Sequence, residues 1–393
     1  MSEIIYLDNH ATTPCDPRVV ETMLPYFTQY FGNSSSPHLF GNTAAEAVKN
    51  ARTFVASLIA ANDEEIIFTS GATESNNLAI LGTINQFVKL GGHPQRIVTT
   101  SIEHKSVFEP YQHLAKSGWD VIILPVDKYG VIKLEAAEKA INEETLLVSV
   151  QLANSEIGTI QPVNEVVKLA RKYGALVHSD ASQAVGKIPI DVGALGVDLL
   201  SFSGHKMYGP KGIGALWVKG GVKQLPISPL FTGGNQEWGL RPGTLPVPLI
   251  VGFGIACKLC QENQIEESKK ICLLRDSLES QLLTIIENLQ INGSKENRLP
   301  NNSNITFFNI DAEALLANLP NLAISTGSAC ESGSLEPSKV LLSIGLSYED
   351  AFCTLRFGLG RFTTQNEVNL AVTSIVDAHQ QIETLLKEKI TQV

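Results

Sequence analysis

The sequence predicts an α/β fold: a large domain on a mostly parallel, mixed sheet, with a smaller α+β domain after it. Three observations carry this. From about residue 65, short apolar runs alternate with segments whose apolar residues recur at helical spacing, as in strand–helix units layered on a parallel sheet. After about residue 260 the texture changes to charged helical and short mixed segments. The chain has 393 residues, 44% of them hydrophobic, which is ample for a large core and long for one domain.

In chain order, strands are expected at 65–69, 96–100, 121–126, 146–152, 175–179, 199–202 and 214–218, several bounded by Gly, Ser, Asn or Asp. Helices are expected between them, as at 74–90 and 164–173. A charged helix at 261–288 leads to a polar loop at 292–304. The second domain then reads as strand 305–310, helix 312–318, strand 323–326, helix 337–344 and a strand near 354–357. Thr364 with Glu367 forms a capping box before a last helix, whose apolar face carries Val368, Val372, Ile375 and Ile382. The expected division is a large domain at 14–258 and a small one from 1–13 and 259–393.

The formal net charge is −10. That disfavours direct nucleic-acid binding, which needs a positive surface to release counterions. The start of the chain lacks a basic region followed by an apolar run, and no stretch nears the ~20 apolar residues of a membrane span. A cytoplasmic protein without membrane contact is expected. The six cysteines are sparse and irregularly spaced, so reduced thiols are expected rather than a disulfide scaffold. Cys257 and Cys260 form a CxxC inside a helix-like apolar stretch with no second pair at zinc-site spacing. No metal site is expected.

Six stretches carry candidate chemistry. In SFSGHKMYGPKGIGALWV a strand enters a turn bearing Lys206. A lysine there can form a Schiff base with a carbonyl, although alone it reads more readily as an exposed turn residue. In ALVHSDASQAVGKI a strand ends on Asp180, with Gln183 three residues later. A carboxylate at a strand end can cap a helix, bind a metal or pair with a ligand cation. In EEIIFTSGATESNN a strand runs through Ala72 and Thr73 into a helix, whose N-terminus suits a phosphate as well as an ordinary cap. His104 follows the 96–100 strand directly, where a histidine can stack on a ring, move protons or be structural. Cys330 lies in ISTGSACESGSLEPS, a small-residue loop that suits either a thiolate nucleophile or an incidental surface thiol. Arg356, in TLRFGLGRFTT, can grip a carboxylate or form a surface ion pair.

Together these stretches resemble the NifS/IscS-type cysteine desulfurases, in the aminotransferase class V group of pyridoxal 5′-phosphate (PLP) enzymes. The likeness runs from YLDNHATTP to LRFGLGRFTT, through SGATESNN, EHKSV, NSEIGTIQP, HSDASQAVGK, SGHKMYGPKGIG, RPGTLP and GSACESGSLEPS in that order. It implies the PLP-dependent transferase fold, fold type I, aspartate aminotransferase-like. It implies that Lys206 carries PLP as a Schiff base and moves the substrate Cα proton. Asp180 would pair with the ring nitrogen, Gln183 with the ring hydroxyl, and His104 would stack on the ring and assist proton transfer. Ala72, Thr73, Ser203 and His205 would bind the cofactor, the last three at its phosphate. Thr244 would reach the phosphate of a neighbouring subunit, so a homodimer is implied. Asn154 would contact cofactor and substrate, and Arg356 with Asn33 would hold the carboxylate of L-cysteine. Cys330 would take the sulfur as a persulfide, release alanine and pass the sulfur to an acceptor such as an iron–sulfur scaffold or tRNA-thiolation protein. The GSAC form resembles the branch with a longer, mobile catalytic loop.

Some positions depart from the family pattern. Ser34 stands in GNSSS where Pro is usual, GGNQE replaces GGGQE, Trp238 and Pro242 replace commoner residues, and Gly358 replaces a usual Ser. The tail LLKEKITQV does not resemble the scaffold-docking tail of some members. The competing readings are a selenocysteine lyase or other PLP lyase, an aminotransferase that would not need Cys330, and a non-catalytic scaffold. The intact set of Lys206, Asp180, His104 and Cys330 argues against the scaffold.

Overall fold

The computed structural model describes residues 4–327 and 336–391. A two-residue strand, β1 (Ile5–Tyr6), precedes the large sheet. That sheet is built from β2 (Ile66–Thr69), β3 (Arg96–Thr100), β4 (Asp120–Leu124), β5 (Thr145–Ser149), β6 (Leu176–Asp180), β7 (Leu199–Ser203) and β8 (Gly214–Val218). These are the seven strands expected from the sequence, displaced by a few residues at most. Their order is β2-β8-β7-β6-β5-β3-β4. Only β8 is reversed: it pairs antiparallel with both β2 and β7, while the other neighbours are parallel. The carboxyl ends of six strands therefore gather at one edge, where ligands of open α/β sheets bind. Every residue of β2, β7 and β8 is buried, as expected for strands covered on both faces.

Two long helices cover one face. Leu39–Leu58 packs on Val247–Ile285 so closely that a Cβ on Gly254 would lie 2.6 Å from the Ala51 Cα. The second of these helices runs for 39 residues, straight through position 258. Its first part, with Ile250, Phe253, Cys257 and Cys260, belongs to the core of the large sheet. Its second part, with Ile271, Leu274, Leu278 and Leu282, belongs to a separate core. The CxxC thus lies in a helix interior, and burial pushes the Cys260 thiol up to about 11.

The second core is built around β9 (Leu289–Ile291), β10 (Asn302–Phe307) and β12 (Thr354–Gly358), an antiparallel sheet in the order β12-β10-β9. Between β10 and β12 in the chain, β11 (Leu322–Ala323) pairs in parallel with β1. The last helix, Gln365–Thr391, starts at the expected capping box, with Thr364 N–H donating to Glu367 Oε2 at 2.7 Å. Val368, Val372, Ile375 and Ile382 are all buried.

Two departures have physical reasons. β10 begins at Asn302, inside the expected polar loop, because several of its buried polar groups find partners within the fold: Asn292 Nδ2 donates to Asn304 Oδ1 at 2.8 Å, Asn302 Nδ2 donates to the Glu156 carbonyl at 3.0 Å, and Thr306 meets the Thr354 hydroxyl at 2.8 Å. β1 and β9, of two and three residues, are too short to show a period. Cys353 is half-buried in the turn before β12. Among the described residues no helix is long and apolar enough to cross a membrane.

Candidate active site

The strand ends build a cleft of about 480 Å³. Its walls are the turn after β2 with Gly71, Ala72 and Thr73, then His104 after β3, Gln151 after β5, Asp180 at the tip of β6, and Ser203, His205 and Lys206 at and beyond the tip of β7. The N-terminal segment adds His10 to Thr12. Arg356 reaches in from β12, in the other sheet.

Lys206 lies in the 3₁₀ turn Gly204–Lys206. Its Nζ donates to the carbonyls of His10 and, at 2.8 Å, Ala11. Beside it, His205 Nδ1 is 3.1 Å from the Thr12 hydroxyl. Burial, reinforced by Lys206, Lys211 and Lys187, holds the His205 imidazole down to about 4, so it is neutral at ordinary pH.

Asp180 is surrounded by donors. Asn76 Nδ2 reaches its Oδ2 at 2.7 Å, while the Ser182 N–H and hydroxyl reach its Oδ1 at 2.9 and 2.5 Å. In all three the carboxylate is the acceptor. Three residues on, Gln183 Nε2 donates to the His10 carbonyl at 3.1 Å, and its Oε1 accepts from Lys187 Nζ at 2.8 Å. Because a backbone carbonyl only accepts, the His10 carbonyl fixes which end of this amide is nitrogen. Burial, with Lys206 and Arg356 nearby, pushes the Lys187 amine well below its usual value.

At the opposite wall, Gly71 caps the 18-residue helix Ala72–Lys89 at φ 150°, which a side chain rarely adopts. The first-turn N–H groups of this helix lack intrahelical carbonyls. His104 caps the helix Lys105–Lys116, its Nδ1 accepting from the Ser106 N–H at 3.1 Å. Arg356 is 1% exposed. Its Nη2 pairs with Asp8 at 2.8 Å and its Nη1 reaches the Ser155 carbonyl at 3.3 Å, while Nε is buried without a partner among the described residues.

Not every expected residue joins the cleft. Asn154 lines a smaller neighbouring cavity instead, of about 50 Å³, and its neighbours Ala153 and Ser155 line the cleft. Its amide is occupied locally: Oδ1 accepts from the Glu156 and Ile157 N–H groups at 2.8 and 3.0 Å, and Nδ2 donates to the Ile102 carbonyl at 3.1 Å. Asn33 is exposed on the loop before the Leu39–Leu58 helix, where its side chain accepts from the Ser35 N–H. Thr244 is likewise exposed and outside the cleft lining. Cys330 lies outside the described residues.

Three further residues went unnoticed in the sequence. His10, buried in the N-terminal segment, contacts both Gln183 and Asn302. Asn76 contacts Asp180. Glu103 accepts from the Thr100 hydroxyl and the Gln151 N–H, and burial pushes its carboxyl up to about 8. His10 and Asn76 lie inside stretches that attract notice, YLDNHATTP and SGATESNN, but their partners are distant in the chain.

The residues fit PLP. One end of the cleft offers a helix N-terminus with Thr73, Ser203 and His205 close by, suited to a phosphate. Another wall offers the Asp180 carboxylate, suited to a protonated ring nitrogen. An amine, Lys206, opens on the same space.

The comparisons agree with this geometry. The chain matches the aminotransferase class-V family model over residues 5–370. A cysteine desulfurase IscS from Rickettsia rickettsii (strain Iowa) is 47% identical over 382 residues, 97% of this chain and 92% of the relative. A solved NifS-like protein superposes with a TM-score of 0.88 at 38% identity, over 95% of this chain and 98% of the other. A structure of SspA in complex with cysteine gives a TM-score of 0.80 at 36% identity, over 91% and 99% of the two chains.

Proposed function

The chain belongs to the aminotransferase class-V family, and from that premise we propose that it is a PLP-dependent cysteine desulfurase. It converts L-cysteine to L-alanine and leaves the sulfur as a persulfide on Cys330. The observation that carries this reading is the meeting of Lys206, Asp180, a helix N-terminus and Arg356 in one cleft, in a chain 47% identical to a named cysteine desulfurase.

Each role follows from the chemistry of the side chain. When bound, PLP supplies an electron sink for the charge left at Cα after deprotonation. Asp180 would pair with a protonated ring nitrogen. Ala72, Thr73, Ser203 and His205 would hold the cofactor, the last three at its phosphate, with His205 neutral and so able to accept or donate one hydrogen bond. Gln183 would offer its NH₂ to the ring oxygen, an orientation set by the His10 carbonyl. Arg356 binds the carboxylate of the amino acid, and its buried Nε supplies a donor not engaged by Asp8 or Ser155. Lys206 takes the Cα proton at Nζ. The Cys330 thiolate attacks the substrate sulfur: one S–S bond forms, the C–S bond breaks, and alanine takes up the hydrogen. The sum is cysteine plus a thiol giving alanine plus a persulfide, with no external oxidant or reductant. Asn154 acts on the cofactor and substrate through the loop that it braces beside Ser155.

We further propose a homodimer. Phe31, Leu39, Phe40 and Phe231 are large apolar side chains left exposed in one chain, at 66, 77, 49 and 56%. They lie on the same two segments as Asn33 and Thr244, which would then serve a site completed by the second copy. The domain division falls within the Val247–Ile285 helix, near residue 258, and the protein is cytoplasmic. The sulfur acceptor is a protein of iron–sulfur assembly or tRNA thiolation.

The direct test compares two variants. Cys330→Ala should keep the visible absorbance of bound PLP and lose alanine release from L-cysteine, whereas Lys206→Ala should lose the absorbance itself. Full turnover by Cys330→Ala would sink the assignment of the nucleophile.

A further inference from the structure

Asp180 and His104 stand on different elements, yet one buried amide links them. Asn76, on the Ala72–Lys89 helix, is 0% exposed. Its Nδ2 lies 2.7 Å from Asp180 Oδ2 and 2.8 Å from Ser106 Oγ. Ser106 Oγ lies 2.7 Å from His104 Nδ1, which also receives the Ser106 backbone N–H at 3.1 Å.

The proton positions follow from what each group is able to do. A backbone N–H only donates, so His104 Nδ1 is an acceptor and bears no proton. The neutral ring therefore carries its proton on Nε2. The Ser106 hydroxyl already accepts from Asn76 Nδ2, so it gives its own proton to Nδ1. The Asp180 carboxylate is the acceptor at 2.7 Å, so Asn76 turns its NH₂ toward it. Asn76 Oδ1 is left without a partner among the described residues. Such orphaned buried oxygens are uncommon and call for a reason. Here the reason is the charge on Asp180. The inverted amide would set a carbonyl oxygen against the carboxylate and take the donor away from Ser106.

We propose that Asn76 and Ser106 are positioning residues: one amide orients Asp180 and, through the Ser106 hydroxyl, fixes His104 as its Nε2–H tautomer. The proposal rests on the reading of Asp180 and His104 as residues that face the cofactor. Its consequence is that His104 presents a hydrogen-bond donor to the cleft rather than a base, which leaves proton acceptance to Lys206.

The test is a ¹⁵N spectrum of histidine-labelled holoenzyme, with His104 assigned by its absence in His104→Gln. The expected result is an unprotonated Nδ1 and a protonated Nε2. Asn76→Ala is expected to weaken PLP retention roughly tenfold, through loss of one hydrogen bond to a charged group. Ser106→Ala leaves the amide on Asp180 in place, so it is expected to shift the His104 nitrogen signals without that loss of retention. A protonated Nδ1 in the unmodified enzyme overturns the proposal, and so does wild-type retention in Asn76→Ala. Should Asn76→Ala fail to fold, the unmodified spectrum and Ser106→Ala still decide. A protein that takes up no PLP overturns the underlying reading instead, which the absorbance reports separately.

Discussion

Arg356→Lys is the substitution that best separates substrate binding from cofactor binding. The guanidinium has five N–H donors in a rigid plane. One goes to Asp8 at 2.8 Å and one weakly to the Ser155 carbonyl at 3.3 Å. The Nε–H and the remaining Nη protons are left for a substrate carboxylate. A lysine keeps the charge and the Asp8 pair, so the buried carboxylate is not abandoned, but it cannot offer two parallel donors. The loss is about one charge-assisted hydrogen bond, ~1.5–3 kcal/mol, or roughly ten- to a hundredfold in binding. The carboxylate does not react, so this binding is shared by ground and transition states. The loss should therefore fall on KM, with kcat nearly unchanged. The assay is alanine formation against cysteine concentration, with the absorbance of bound PLP as control. A KM equal to that of the unmodified enzyme, or loss of the absorbance, would refute the role given to Arg356.

The other predictions concern the frame. Glu103→Gln should stabilise the protein above neutral pH. The folded carboxyl titrates at about 8 and the unfolded one near ~4.3, so stability from the protonated acid is full below about pH 4.3 and is lost as pH rises through 8. Urea unfolding at pH 5 and 8 should show a smaller difference for the variant, and an unchanged slope would count against the buried acid. Gly254→Val should destabilise by about 1–3 kcal/mol or more through overpacking, because even a Cβ there meets Ala51 at 2.6 Å; denaturant midpoints read this directly. Thr364→Ala should cost ~0.5–2 kcal/mol by removing half of the capping box. Its check is the same denaturation curve, with activity unaffected.

Much of this was legible in the sequence because it is local. β8 lies where the run Gly214–Val218 stands beside glycines, and Asp180 and Lys206 fall at or just beyond the ends of the short strands β6 and β7. Asn154 shows the limit. The family resemblance implies a ligand contact, yet its amide is occupied by the Glu156 and Ile157 N–H groups and the Ile102 carbonyl. A side-chain oxygen two or three residues before a free N–H closes a turn whenever the backbone bends, and only the fold tells whether it does. The start of β10 was hidden for a related reason: Asn302, Ser303 and Asn304 are buried but have no apolar period to read.

By itself, then, the sequence determined the chemistry available and the order in which it is strung: a lysine, a carboxylate and a helix start at strand ends, an arginine and a cysteine in a second region. Tertiary structure decided which of these meet. Arg356 reaches the cleft because β12 pairs with β10, and Asn302 of β10 anchors His10 beside the Lys206 contacts. It also decided the direction of each proton, from Asn76 to Asp180 and from Ser106 to His104. Hydrogen-bond direction depends on what lies within about 3 Å, and Asn76, which orders both bonds, stands 30 residues from Ser106 and 104 from Asp180 in the chain.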